Sequence, residues 1–220
     1  MKKSNHKGFT LSETLITLSI VGILAVLVIP GLIKDSINRA MVSTLKSTVA
    51  NLNDAIENEI INKRALNMED TDLYKAPDKF LKNFDISEIA INNKANSLFA
   101  VSYKTISGNS SNITKMKASA TLKNGVVIGI PESYDPESKS RGIYIDTNGK
   151  KGPNIYGVDC FIVYIINKSD TAKGFHAGDV GCATLYSTRI EACKTTGANC
   201  YCALERTGFD PKYLEYTDVY

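Results

Sequence analysis

From residue 14 to residue 33 the chain carries no charged side chain, and most positions are Leu, Ile, Val or Ala. Such a run predicts a helix long enough to cross a hydrocarbon core of ~30 Å. Beyond it the pattern turns amphipathic. Ile33, Ile37, Met41, Leu45, Val49, Leu52, Ile56 and Ile60 recur in steps of four, with one step of three, between polar neighbours. That spacing is the apolar stripe of a helix with one buried face. The two patterns join into one predicted helix from Phe9 to about Asn62, ~80 Å long at 1.5 Å per residue. Pro30 cannot donate an amide hydrogen, so a kink is expected there.

Residues 64–98 are polar and mixed, with Pro77 and short apolar clusters at Phe80-Leu81 and at residues 86–91. They predict a connecting region with one or two helical turns. From Leu98 onward the period changes to that of strands, at 99–106, 117–122, 126–130, 142–145 and 158–166. A Ser/Asn/Gly-rich loop separates the first two. Asn124-Gly125 between the second and third is a strong hairpin signal. The predicted fold is therefore α+β, with one long helix laid on an antiparallel sheet of four or five strands.

Net charge is +3, and Lys2, Lys3 and Lys7 account for the whole excess. Without them acids and bases balance, so no basic surface points to nucleic acid. A basic start before an apolar run also describes a secretory signal peptide. Here the run exceeds the usual h-region of 7–15 residues, and no A-x-A-like cleavage site follows it. A signal anchor satisfies the pattern, with the basic end in the cytoplasm and the C-terminus outside. It leaves Glu13 unexplained, a carboxylate at the very edge of an apolar helix where ionised groups are costly.

Gly8-Phe9-Thr10-Leu11-Ser12-Glu13, behind a short basic leader and ahead of the apolar helix, resembles the prepilin peptidase site of type IV pilins and type II secretion pseudopilins. The resemblance covers about residues 2–33. It implies cleavage after Gly8, a new N-terminus at Phe9 that becomes N-methylated, and an assembly role for Glu13. The organisation that follows is a leader at 1–8, a membrane segment at 9–33, an amphipathic continuation at 34–63 and a globular extracytoplasmic domain at 64–220. A cation created at Phe9 needs a partner in lipid as much as a carboxylate does. Pairing of Glu13 with the Phe9 amine of a neighbouring subunit would neutralise both and set the register of stacked helices. The implied partners are sibling subunits, the membrane prepilin peptidase, an assembly platform protein and its ATPase. The implied location is the bacterial cytoplasmic membrane, then an extracytoplasmic filament. The alternative is a signal-anchored domain acting as a calcium-dependent binding or sensor module.

The stretch from 144 to 161, YIDTNGKKGPNIYGVDCF, joins two predicted strands and carries Asp146, Asn148, Asn154 and Asp159 among three glycines. Short oxygen-bearing side chains on such a loop can cap turns, which is the simpler account. The same four could offer oxygens to Ca²⁺, although Lys150 and the lack of a closing Glu exclude an EF-hand. All five cysteines fall in the last third of the chain. Cys160 lies on an apolar strand and is the candidate for a free, buried thiol. Cys182, Cys193, Cys200 and Cys202 then form two disulfides in one of three pairings, consistent with an oxidising compartment. The Cys200-Tyr201-Cys202 spacing with His176 is poor for zinc. No nucleophile elbow, phosphate-binding loop or H-E-x-x-H motif is present, so no enzymatic activity is expected.

Overall fold

The computed structural model describes residues 10–66, 68–133, 140–166 and 186–210. The chain divides into two compact units, Met1–Asn38 and Arg39–Tyr220.

Helix α1, Leu11–Lys63, has residues in both units and runs through Pro30 without a break. In the first unit its large apolar side chains, from Leu11 to Ile33 and then Ile37, are exposed. This helix is long and apolar enough to cross a membrane. In the second unit the expected stripe is realised: Leu45, Val49, Leu52 and Ile56 are buried, joined by Val42 and Ala55. Ile33 and Ile37, which the spacing placed in the same stripe, remain exposed.

Two short helices follow, α2 at Asp72–Lys75 and α3 at Pro77–Phe80. Glu59 is buried, and its carboxylate accepts the N–H of Asp72 at 2.7 Å, which caps α2 from α1. Next come β1 (Ile86–Ile91), a 3-10 helix (Asn92–Leu98), β2 (Tyr103–Lys104), β3 (Ser110–Ser111), β4 (Met116–Leu122), β5 (Val127–Pro131), β6 (Ser140–Asp146) and β7 (Cys160–Ile166). The last elements are α4, Tyr186–Thr196, and α5, Cys200–Arg206. The main sheet has five antiparallel strands in the order β1-β4-β5-β6-β7, while β2 and β3 pair separately.

Successive side chains of a strand point to opposite faces, and both faces of this sheet are covered. Ala118, Ala120, Ile128, Ile130, Ile143, Ile145, Val163 and Ile165 pack in one cluster with the buried stripe of α1. Met116, Val127 and Cys160 face the other way, against Leu98, Phe99, Tyr103 and Tyr156. The architecture is the α+β, pilin-like layout.

Two expected elements differ. Residues 86–91 form β1, a member of the main sheet, instead of helical turns. The register shifts between Ile86 and Glu88. An inserted residue of this kind interrupts the two-residue period, so the sequence I-S-E-I-A-I does not look like a strand. Conversely, residues 99–106 contribute only the two-residue β2. Phe99, Ala100 and Tyr103 serve instead in the layer over the second face, while Ile106 packs in the first cluster and Val101 is exposed. The β4–β5 hairpin closes as anticipated: Gly125 N–H donates to Leu122 O at 2.9 Å, and Leu122 N–H donates to Val126 O at 2.7 Å. The carboxamide oxygen of Asn124 accepts Val126 N–H at 3.2 Å.

Candidate functional site

At the start of α1 the side chains of Thr10 and Glu13 hold each other. Glu13 Oε2 accepts the N–H of Thr10 at 2.8 Å and its hydroxyl at 2.9 Å, and Thr10 Oγ1 accepts the N–H of Glu13 at 3.3 Å. This reciprocal arrangement is a capping box, which satisfies donors that a helix N-terminus otherwise leaves unpaired. The T-x-x-E spacing that announces it stands in the sequence at residues 10–13, so sequence reasoning had the signal and missed this role of Glu13. Further along, the hydroxyls of Thr14, Thr17 and Ser19 donate to the carbonyls of Leu11, Glu13 and Leu15 at 2.8–2.9 Å. Hydroxyls turned onto their own helix backbone ask nothing of the surroundings, which suits an apolar environment. Gly8 and Phe9 lie outside the described residues.

At the β6–β7 connection the carboxylates of Asp146 and Asp159 influence each other and the Asn148 side chain reaches Asp159, while Asn154 meets Asp159 through its backbone N–H. Asp146 and Asp159 are fully buried. Asp146 Oδ2 accepts the Tyr103 hydroxyl at 2.5 Å, and its Oδ1 accepts Asn148 N–H at 3.1 Å. Asp159 spends both carboxylate oxygens on the loop backbone, taking the N–H groups of Asn154 and Ile155 at 2.7 Å each. Its carbonyl accepts the N–H and hydroxyl of Thr147 at 2.8 Å and 3.1 Å. The carboxamide of Asn148 donates to Gly152 O at 3.1 Å. Asn148 Oδ1 and Asn154 Oδ1 are buried atoms without a partner among the described residues. The carboxylates thus act as caps for turns, the chemistry such residues supply in loops. Among the described residues no group of three or more His, Cys, Asp or Glu side chains converges as metal ligands.

Burial dominates the electrostatics of this loop. It pushes Asp146 up to about 7, with the Asp159 charge adding to the shift and the Tyr103 and backbone donors opposing it. It pushes Asp159 up to about 6 against the backbone N–H donors of Ile155 and Asn154. The free, buried thiol of Cys160 is raised well above the usual thiol range by burial and then by both aspartates. Among the described residues Cys160 is the unbonded cysteine, as its apolar strand suggested.

Cys193 in the last turns of α4 and Cys200 at the start of α5 form a disulfide, one of the pairings left open by spacing. Cys202 is also disulfide-bonded. Cys182 lies outside the described residues.

No curated protein and no solved structure matches the chain. Residues 3–29 match the family model of the prokaryotic N-terminal methylation motif. That match ends inside the exposed apolar part of α1, and it contains Gly8, Phe9 and the Thr10–Glu13 capping box. The chain carries the prokaryotic N-terminal methylation motif, the signature of type IV pilins and pseudopilins.

Proposed function

We propose that the protein is a prepilin-like structural subunit, cleaved after Gly8, N-methylated at Phe9 and polymerised through α1 into an extracytoplasmic filament. The observation that carries this is the methylation motif at 3–29, which runs into a helix whose large apolar side chains from Leu11 to Ile33 are exposed. Exposed apolar surface on that scale needs a cover, first lipid and then the helices of sibling subunits. The prepilin peptidase, a platform protein and an assembly ATPase are the partners this role requires. The role is structural, not catalytic.

Glu13 has two partners in this scheme. In the single chain Thr10 occupies its carboxylate. In the filament the Phe9 amine of a neighbour takes over, and the charge pair fixes the axial register. The experiment is intact-mass measurement of the membrane-extracted protein together with its Glu13→Gln variant. The wild type should begin at N-methylated Phe9, and a mass retaining residues 1–8 overturns the proposal. Glu13→Gln should still be cleaved but should yield few or no filaments, since leaving one member of a buried pair unmatched costs ~3–5 kcal/mol. Normal filaments from the variant would remove the pairing mechanism while leaving the processing intact.

A further inference from the structure

Two glycines mark the junction between the loop at 154–159 and the pair of helices α4 and α5. A Cβ on Gly157, at φ +88°, would lie 2.7 Å from Cys200 Sγ, 3.0 Å from Cys193 Sγ and 3.1 Å from Ile106 Cδ1. A Cβ on Gly197, at φ +77° between the two bonded cysteines, would lie 2.5 Å from the Cβ of Tyr156. The disulfide therefore rests on the bare backbone of Gly157, and Tyr156 rests on the bare backbone of Gly197. No side chain larger than hydrogen fits at either position without displacing its neighbour, and both conformations are ones that L side chains rarely adopt.

The loop has its own source of shape. The Asp159 carboxylate gathers the N–H groups of Asn154 and Ile155, and Gly157 N–H donates to Cys160 O at 2.8 Å. It is also tied to β2, because Lys104 N–H donates to Asn154 O at 3.0 Å and Tyr156 N–H donates to Lys104 O at 2.9 Å. Next to Cys193, the carbonyl of Lys194 accepts Ser107 N–H at 2.9 Å.

We propose that the loop at 154–159 is a preformed seat that selects the Cys193–Cys200 pairing, and that the closed disulfide in turn holds this seat against β2. Four cysteines allow three pairings, and the seat decides among them by accepting two sulfurs side by side at Gly157. Holding two thiols against one surface raises their effective concentration for each other over that of other partners. Closure balances with an external disulfide as oxidant, for which oxidised glutathione serves. One cysteine thiolate displaces a glutathione thiolate to give a mixed disulfide, and the second cysteine then displaces the other glutathione. Two protein thiols lose two protons and two electrons, and two glutathione thiols form.

The test uses the full-length chain in detergent micelles, reduced, refolded in defined glutathione mixtures, trapped by alkylation and mapped by peptide mass. The wild type should show Cys193–Cys200 as the prevailing bond at these positions. In Gly157→Ala that pairing should give way to alternatives. The glutathione equilibrium for Cys193 and Cys200 should shift toward the dithiol by about tenfold, ~30 mV for a two-electron couple. An unchanged pairing and equilibrium in a folded Gly157→Ala chain overturns the proposal. If that variant does not fold, Cys193→Ser combined with Cys200→Ser takes its place. Hydrogen exchange at the amides of Asn154, Ile155 and Tyr156 should then accelerate by about tenfold or more while the β4–β5 hairpin keeps its protection. Equal exchange at the three loop amides overturns the proposal by this route.

Discussion

Asp159 is a carboxylate that replaces a piece of secondary structure. Its two oxygens pair two consecutive backbone N–H groups that no strand or helix would reach. Asp159→Ala would leave both amides without an acceptor, at ~1–3 kcal/mol each for a buried donor. The urea midpoint should fall accordingly, and by less in Asp159→Asn, which keeps one acceptor oxygen. The titration of the same loop has a definite sign. Asp146 and Asp159 sit at about 7 and about 6 in the folded protein, above the ordinary carboxylate value of 3.8 to which unfolding returns them. Between those values the folded chain holds protons that the unfolded chain has released. Their contribution to stability is therefore most favourable below the unfolded value and is lost as pH rises through about 6 and then about 7. Urea unfolding should show a decline in stability between pH 5 and pH 7.5 that flattens in Asp146→Asn. A slope unchanged in that variant would place the titrating groups elsewhere.

At the scale of elements, α1 carries two different surfaces with different consequences for mutation. Leu52 is fully buried against the sheet. Leu52→Ala should cost ~2–5 kcal/mol, as a core truncation that leaves a cavity does. Ile33→Ala removes an exposed side chain and should leave the urea midpoint of the folded domain unchanged. Both surfaces are legible in the sequence, because an uncharged run and a stripe in steps of four are strong periodic signals. So are β4 to β7, where apolar alternation and the Asn124-Gly125 turn agree. β1 is not, since the shift between Ile86 and Glu88 breaks the alternation that identifies a strand. The 99–106 segment misleads in the opposite direction. Phe99, Ala100 and Tyr103 record burial over the second face of the sheet, and burial by a covering layer leaves the same trace as burial in a strand. In the site, Glu13 was conspicuous by its place at the edge of the apolar run. The hydrogen bonds of Asp159 depend on the path of the loop, which composition does not encode. The contact of Gly157 with a disulfide from residues 193 and 200 is equally hidden, because it joins segments far apart in the chain.

At the scale of the whole molecule, the cysteines give a simple count. Cys193, Cys200 and Cys202 are bonded, and Cys160 is free and buried. Maleimide labelling without reductant should be slow in the native protein and should find one thiol, Cys160, once the chain is unfolded. Five reactive thiols would indicate a reduced domain and count against an extracytoplasmic location. One edge strand of the sheet, β1, bears on how copies of the chain meet. A long, straight edge invites a second chain to add as the next strand, and such additions propagate into cross-β aggregates. Here the shift between Ile86 and Glu88 breaks the straight line, and Glu88 is exposed on the same strand. Any copy adding edge to edge would have to accommodate the bulge and bring its own carboxylate alongside, in spite of the exposed Ile89 and Ile91 that favour contact. In the proposed filament, where copies of the chain would crowd together, this edge discourages one wrong kind of polymer.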